Sequence, residues 1–445
     1  MPASSSEAVR TAVLADSDTR WKWGALTARR ITAATAEPTG FVLRGRATPT
    51  ARQLAETGVS RVAPREVTGA EFLREVRDAE ERGEGYDVLV LALVGGTVRA
   101  VLQGIADLGL ERRPVIVTGY VGVVYEKLAD GLLLRHGADV VLANSRHDAE
   151  RFRAVYEGVG ADSEGVGAEA DPEVPVGLAD PVVEAALPFL GGAPYAPLAG
   201  RDTLVFAAQP SVPVSRAERA YLLRRLTEHA RLHPGREVLL KLRSKPGEHT
   251  THLEEFPYQK LVRELDAPAN FRLVYGNMGE VLDRTDLLVT VSSTAALEAL
   301  HRRIPTAVLT DFGIREALGN HHFVGSGLLT SFDRLDKGRV PVPDEEWLAR
   351  QGVASDSPYE SAFDAARDRV AALLALPALP PLRPYYTAET APGYLPGILA
   401  RHRLDVTAPE PRESGLRRVV REAARGAYRH GVQRVAPVIR RLGDL

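Results

Sequence analysis

The sequence contains no cysteine. That absence excludes disulfides, thiolate zinc sites, iron–sulfur clusters and a cysteine nucleophile. Lysine is scarce too: Lys22, Lys127, Lys241, Lys245, Lys260 and Lys337 are six of 56 basic residues. Arginine is the default cation, so a lysine pair as close as Lys241 and Lys245 carries information. Against those 56 cations stand 58 acidic residues, a formal net charge of -2. This balance excludes a globally basic nucleic-acid binder, and no nucleic-acid partner is expected. No apolar run approaches the ~20 residues of a membrane span. The longest, Val88 to Val94, is strand-sized. The N-terminus lacks a cationic region followed by an apolar core, so no signal peptide is expected and the cytoplasm is the default location.

What is present reads as an ordinary globular chain, 44% hydrophobic and 26% charged. At roughly 150 residues per domain, its length suggests two or three domains. Thr11 to Ala15 is a first buried strand, followed by the polar and aromatic DSDTRWKWG and a helix from Ala25. Further apolar runs recur at Gly40 to Leu43, Asp87 to Val94, Pro114 to Thr118 and Asp139 to Ala143, separated by helical patterns. Continuous Val/Leu/Ile runs suit parallel strands buried on both faces, and their alternation with helices predicts a doubly wound sheet.

Gly, Pro, Ala and acidic residues dominate from about Glu157 to Gly200, which predicts an interdomain connection with one short helix near Pro181 to Leu187. The rhythm restarts at Thr203 to Ala207. Strands follow at Glu237 to Leu242, Phe271 to Val274, Asp286 to Val291 and Pro305 to Leu309, with helices between. The expected organisation is a Rossmann-like domain at 1–170, a linker at 171–200 and a second Rossmann-like domain at 201–376. A Pro-rich return segment at 377–411 and a basic amphipathic helix at 412–445 complete it. That last stretch carries nine arginines against three acidic residues.

In open α/β sheets ligands bind beyond the carboxyl ends of the strands, so the strand exits are the places to read. Ser292, Ser293 and Thr294 open a helix directly after a core strand. Unpaired helix N–H groups and three hydroxyls there suit a phosphate, although plain N-capping produces the same pattern. Lys241, Arg243 and Lys245 leave the strand at Glu237 to Leu242 and share one face by alternation. Three cations there suit a diphosphate or a sugar carboxylate, or else form a solvated face. Gln209 lies in a loop after the strand at Thr203 to Ala207.

Asp16-Ser17-Asp18 spells D-x-D at the end of the first strand, the wrong place for the metal-binding version of that triplet. Asp16 or Asp18 is a candidate base for deprotonating an acceptor hydroxyl, and Glu126 a second. Trp21 and Trp23 either stack on a ligand or fill the core. Arg135 and Asn144-Ser145 are polar at further strand exits. No H-x-x-x-H pair is expected on a helix, and no metal site. His249, His252, His321 and His322 are left as loop histidines suited to acid or phosphate contact. There is no P-loop and no G-x-S-x-G, and GVGADSEGVG does not complete G-x-G-x-x-G, so no cofactor is expected.

The second half resembles the nucleotide-sugar domain of GT-B glycosyltransferases, above all the capsule-type enzymes: polysialyltransferases, Kdo transferases and CDP-glycerol glycerophosphotransferases. Those carry a lysine-ended strand with His-Pro and a later Ser-Ser opening a helix, both contacting the CMP part of the donor. Here Ser292-Ser293-Thr294 matches, with Glu298 one turn on, while Lys245-Pro246 stands at the His-Pro position. Arg135 with ADVVLANS, KLRSKPGEHTTH, VSSTAALEAL and FVGSGLL also resemble a bacterial family of GT-B-type glycosyltransferases over about residues 8 to 400.

The resemblance implies two Rossmann-like domains with a cleft between them, the first binding the acceptor and the second the nucleotide sugar. It also implies metal-independent transfer of a sugar from a CMP-, CDP- or UDP-linked donor to a cell-envelope or secreted glycan, or a lipid-linked acceptor. Gln209, Lys241, Arg243, Lys245, Ser292, Ser293, Thr294 and Glu298 would hold the donor, and Asp16, Asp18 or Glu126 would supply the base. A sugar-nucleotide 2-epimerase of the same fold, and a non-catalytic sugar-nucleotide-binding protein, are the rival readings. The 412–445 helix would dock on an anionic membrane surface or pack back on the protein.

Overall fold

The computed structural model describes residues 9–32, 37–45, 47–59, 63–123, 128–163, 178–246, 248, 254–353 and 358–402. The calls on Glu126, His249, His252 and the 412–445 helix lie outside the described residues. The described residues form two compact units: those up to Gly191 together with those from Ala349 onward, and Gly192–Leu348.

The first unit alternates strands and helices from its first residues. In order they are β1 (Thr11–Ala15), α1 (Asp18–Ile31), β2 (Thr39–Leu43), α2 (Ala51–Thr57), β3 (Arg65–Val67), α3 (Gly69–Glu81), β4 (Val88–Ala92) and α4 (Gly95–Asp107). Then come β5 (Val115–Gly119), α5 (Leu128–Leu133), β6 (Val140–Ala143), α6 (Arg146–Ser163) and β7 (Val182–Glu184). The sheet runs β3-β2-β1-β4-β5-β6-β7, and every pairing is parallel. β1, β4, β5 and β6 are buried along their whole length. Both faces are covered by helices, so apolar side chains are needed on both, which is why these strands read as unbroken runs. Reciprocal capping boxes start α2 (Thr50 and Gln53) and α3 (Thr68 and Glu71). α1 lies so close to the sheet that a Cβ on Gly24 would stand 2.6 Å from Val13 Cγ1 and 2.9 Å from the Ala92 methyl.

The second unit repeats the plan with β8 (Thr203–Ala207), α7 (Arg216–Leu232), β9 (Glu237–Lys241), α8 (Tyr258–Leu261), β10 (Phe271–Val274) and α9 (Met278–Leu282). β11 (Leu287–Thr290), α10 (Ala295–His301), β12 (Thr306–Leu309), β13 (Leu329–Thr330) and α11 (Phe332–Asp336) complete it. Its sheet runs β10-β9-β8-β11-β12-β13, again parallel throughout. Counted within each unit, both orders are 3-2-1-4-5-6, the Rossmann order, and the first unit adds a seventh strand. The expected fold class holds: two Rossmann-like α/β domains, as in GT-B-type chains.

Two expectations change. Residues 182–184 are not a helix. Val182 and Val183 are buried as β7, which pairs with β6 from Val141↔Val182 to Ala143↔Glu184. Two adjacent β-branched residues favour an extended strand over a helical turn. The chain also returns to the first unit earlier than residue 377. Helix α12 (Glu345–Arg350) spans the boundary, and α13 (Asp364–Leu374) packs on α1 and on β5, β6 and β7. The return segment follows. Arg113 pairs with Asp139 at 2.8 Å and donates from Nε to the Pro380 carbonyl at 2.9 Å. Arg99 Nε donates to the Tyr386 carbonyl at 2.7 Å, and α14 (Leu395–His402) lies on α4. Among the described residues, no helix is long and apolar enough to cross a membrane.

Candidate functional site

A Rossmann-order sheet has a switch point where successive helices move to opposite faces, and ligands collect beyond the carboxyl ends of the two strands beside it. In the second unit those strands are β8 and β11. Gln209, two residues past β8, accepts the Ser292 N–H on Oε1 at 3.1 Å, and the Ser292 hydroxyl stands 3.2 Å from the same oxygen. The hydroxyl also donates to the Leu318 carbonyl in the loop after β12. Thr290 Oγ1 adds a second tie, accepting the Ser293 N–H at 3.1 Å and donating to the Ala207 carbonyl at 2.9 Å.

The Gln209 loop is itself anchored by Arg219, a fully buried guanidinium on α7. Arg219 donates to the carbonyls of Gln209 (3.1 Å), Pro210, Pro213 (2.8 Å) and Phe256 (3.0 Å), and pairs with Glu254 at 2.7 Å. Burial raises the Glu254 pKa, and the adjacent guanidinium opposes that rise. Sequence reading missed Arg219 because four of its five acceptors are main-chain oxygens, which leave no residue-type signature, and the fifth, Glu254, is 35 residues away.

These contacts redistribute the expected donor-binding roles. Ser292 is 0% exposed and committed to Gln209 and Leu318, so it joins loops together. Most N–H groups at the α10 entrance are not open donors; that of Thr294 has no hydrogen-bond partner among the described residues. Ser292 and Ser293 bond Gln209 and Thr290, and Ala295 bonds Ser293 Oγ at 3.2 Å. Ala296, Leu297 and Glu298 bond carbonyls of Ser293 and Thr294. Two hydroxyls remain suited to an incoming oxygen. Ser293 Oγ accepts one bond and keeps its proton to give, and the Thr294 side chain makes no capping bond. Both residues are half-buried, and Glu298 is buried within α10.

The cation trio separates. Strand β9 ends at Lys241, so alternation does not extend to Arg243 and Lys245. Lys241 is buried, its Nζ donating to the Leu242 carbonyl at 2.8 Å. Arg243 is half-buried, and Lys245 is exposed with its Nζ 5.8 Å from the Tyr275 ring centroid. Of the loop histidines, His322 packs edge-on against Phe323 and Trp347, and His321 is half-buried beside it.

The first unit has the same device at its own switch point, between β1 and β4. Asp16 accepts the Val94 N–H on Oδ2 at 3.1 Å and pairs through Oδ1 with Arg20 at 2.9 Å. Ser17, not an aspartate, caps α1, with Asp18 half-buried in the first turn. Trp21 and Trp23 are 2% and 1% exposed, so they fill the core and do not stack on a ligand. Arg135 is buried over the Tyr120 ring, 4.1 Å to its centroid, and donates to the carbonyls of Leu93 (3.2 Å), Gly119 (3.1 Å) and Gly131 (2.7 Å). Asn144 donates to the Tyr120 carbonyl at 2.7 Å, and Ser145 Oγ caps α6 at the Asp148 N–H, 3.0 Å.

Asp148 was not singled out from sequence, although S-x-x-D is a helix-start signature. It is 5% exposed, and its Oδ1 has no hydrogen-bond partner. Arg151 stands 3.6 Å from that oxygen, close enough for ion pairing but too far for a hydrogen bond. Burial pushes the Asp148 carboxyl up to about 6, with Arg151 opposing.

Residues 11–373 match the family described as "Putative glycosyltransferase (DUF6716)". The chain belongs to this family. No curated protein matches it. Among solved structures it is similar to UDP-GlcNAc 2-epimerase from Neisseria meningitidis bound to UDP-GlcNAc, with 10% identity, 83% of this chain and 100% of that chain covered, and a TM-score of 0.47. It is similar to the S. aureus MnaA-UDP co-structure, with 12% identity, 84% and 99% covered, and a TM-score of 0.48. It is also similar to the glycosyltransferase SnogD from Streptomyces nogalater, with 17% identity, 88% and 100% covered, and a TM-score of 0.37.

Proposed function

We propose that this family member transfers a sugar from a nucleotide-activated donor to a glycan or lipid-linked acceptor of the cell envelope, without a metal ion at the reacting centre. The observation that carries the reading is the carboxyl edge of the second sheet. Gln209 and Ser292 fix the two loops at its switch point, and the hydroxyls of Ser293 and Thr294 follow directly, where a diphosphate of a nucleotide sugar fits the chemistry. Family membership supports the same reading. The Ser-Ser sequence shared with capsule-type enzymes favours CMP, CDP or UDP as leaving group.

In this reading Ser293 and Thr294 donate hydrogen bonds to the donor phosphates, and Lys245 and Arg243 offset the charge that develops on the departing nucleotide. Lys241 and Ser292 hold the frame, and Glu298 is retained as a donor-side residue from within α10. In the first unit Asp18 takes the base role more readily than Asp16, which is held by Arg20 and the Val94 N–H. Glu126 stays a second candidate. A basic 412–445 segment would bring the protein to an anionic membrane surface.

The test is a thermal-shift and calorimetric screen of the full chain against CMP, CDP, UDP, UMP, GDP and dTDP. A ligand that binds only the folded state raises Tm. The reading expects one nucleotide to raise Tm and the shift to be lost in Ser293→Ala/Thr294→Val. Incubation with the matching nucleotide sugar then separates chemistries: isomerised donor without acceptor indicates an epimerase, and free nucleotide released only with acceptor indicates transfer. No shift with any nucleotide would overturn the proposal.

A further inference from the structure

Helix α7 ends at the edge of the sheet opposite Gln209 and Ser292, because it runs antiparallel to the strands. His229 sits in its last turn and His233 caps it, one turn on. This is an H-x-x-x-H pair on a helix, contrary to the expectation from sequence. Their rings are 4.4 Å apart between centroids. Asp336, the last residue of α11, places Oδ1 2.6 Å from His229 Nδ1. One ligand atom from each of the three residues lies within 4.8 Å of the other two. His233 Nε2 is enclosed and has no hydrogen-bond partner.

We propose that His229, His233 and Asp336 form a binding site for a divalent transition-metal ion of the zinc type, which ties the end of α7 to α11. Two imidazoles and a carboxylate suit such an ion. Ligand atoms on one tetrahedral zinc stand about 3.3 Å apart, so His229 Nδ1 and Asp336 Oδ1 open slightly and the more distant ligand atoms draw in, with movements of roughly 1 Å. The C-terminal end of a helix favours a cation. The surrounding charge permits one. Arg225 lies 2.7 Å from both Asp333 and Asp336 and 3.4 Å from Glu228, and Arg236 pairs with Asp202 at 2.8 Å. Arg224 also pairs with Glu228, at 3.7 Å, so three guanidinium groups are set against four carboxylates.

The metal-free proton arrangement follows from Arg236. Its Nη1 is 3.1 Å from His229 Nε2, and a guanidinium can only donate, so Nε2 accepts and Nδ1 carries the proton given to Asp336. A metal at Nδ1 displaces that proton to Nε2, which then has to release the Arg236 Nη1 contact. Arg236 therefore competes with the metal. The proposal is independent of the donor site at the opposite edge.

The experiment titrates the metal-free full chain with Zn²⁺ by calorimetry and with Co²⁺ by visible absorption, following fold by circular dichroism. One equivalent should bind. His233→Ala should weaken binding at least tenfold, and Arg236→Ala should tighten it several-fold. His229→Gln is a second ligand variant, and the half-buried His233 keeps the test usable if that one fails to fold. Absence of binding, or affinity unchanged in folded His233→Ala, would overturn the site and leave only adventitious surface binding.

Discussion

Gln209 accepts the N–H of Ser292 at 3.1 Å across 83 residues of sequence. The bond ties the exits of β8 and β11 together. Its counterpart in the first unit joins Asp16 to the Val94 N–H at the exits of β1 and β4. Each Rossmann-like unit therefore closes its own switch point with a side-chain oxygen on a backbone N–H. The charge differs: a neutral amide in the second unit, a carboxylate in the first. A neutral acceptor is the better neighbour for an anionic donor.

That difference gives the first prediction. Gln209→Glu keeps an acceptor for Ser292 but puts an anion beside the proposed phosphate site. Nucleotide affinity should fall at least tenfold while Tm changes little. Gln209→Ala instead strands the buried Ser292 N–H, at about 1–3 kcal/mol. Calorimetry and thermal melts on the same samples separate the two effects.

The cations should divide in the same way. Lys245→Ala, at an exposed position, should weaken nucleotide binding without lowering Tm. Lys241→Ala removes a buried side chain and should lower Tm. Equal nucleotide affinity in Lys245→Ala and the parent protein would remove Lys245 from the donor site.

Asp16 and Asp18 are two residues apart and should behave differently. Asp16→Asn weakens the Arg20 pair and should cost about 1–2 kcal/mol of stability. Asp18→Asn should leave the melt almost unchanged and lower kcat if Asp18 is the base. Turnover of Asp18→Asn equal to that of the parent would assign the base elsewhere.

Asp148 should make stability depend on pH. Its folded pKa, about 6, lies above the unfolded value near 3.9. The folded state therefore binds the proton more tightly. Between pH ~4 and ~6 the folded chain carries more protons than the unfolded one, so this group's contribution falls as pH rises. Two pKa units correspond to about 3 kcal/mol. Asp148→Asn should be more stable than the parent at pH 7.5, by up to that amount, with the gain disappearing below pH 4. Denaturant melts at both pH values check it, and a pH-independent difference would contradict the assignment.

Much of the architecture was legible because doubly buried parallel strands must be apolar throughout. β1, β4, β5, β6, β8 and β11 announce themselves in this way. β3 and β13 do not: the former has two exposed residues of three and the latter only two residues. β7 was hidden in a Pro- and Gly-rich stretch, where two valines are too short a signal. At the site, sequence marked Ser292 to Thr294 as special. It could not say that Ser292 faces inward, because its partners Gln209 and Leu318 are brought to it only by the fold. Arg219 and Arg135 bond carbonyls, which every residue type carries. His229 and His233 do spell H-x-x-x-H in the sequence, but His233 falls one residue past the end of α7, and the third group, Asp336, comes from a helix about a hundred residues later.

The return of the chain at Ala349 has a consequence for synthesis. Helix α13, which covers α1 and three strands of the first unit, emerges only after all of residues 192–348. At about 5–20 residues per second, that is a wait of roughly 10–30 s. Meanwhile the apolar surface awaiting α13 stays open. A nascent chain stopped near Gly191 would carry that exposed surface for good, and residues 192–348 can assemble before the first unit has its last helix.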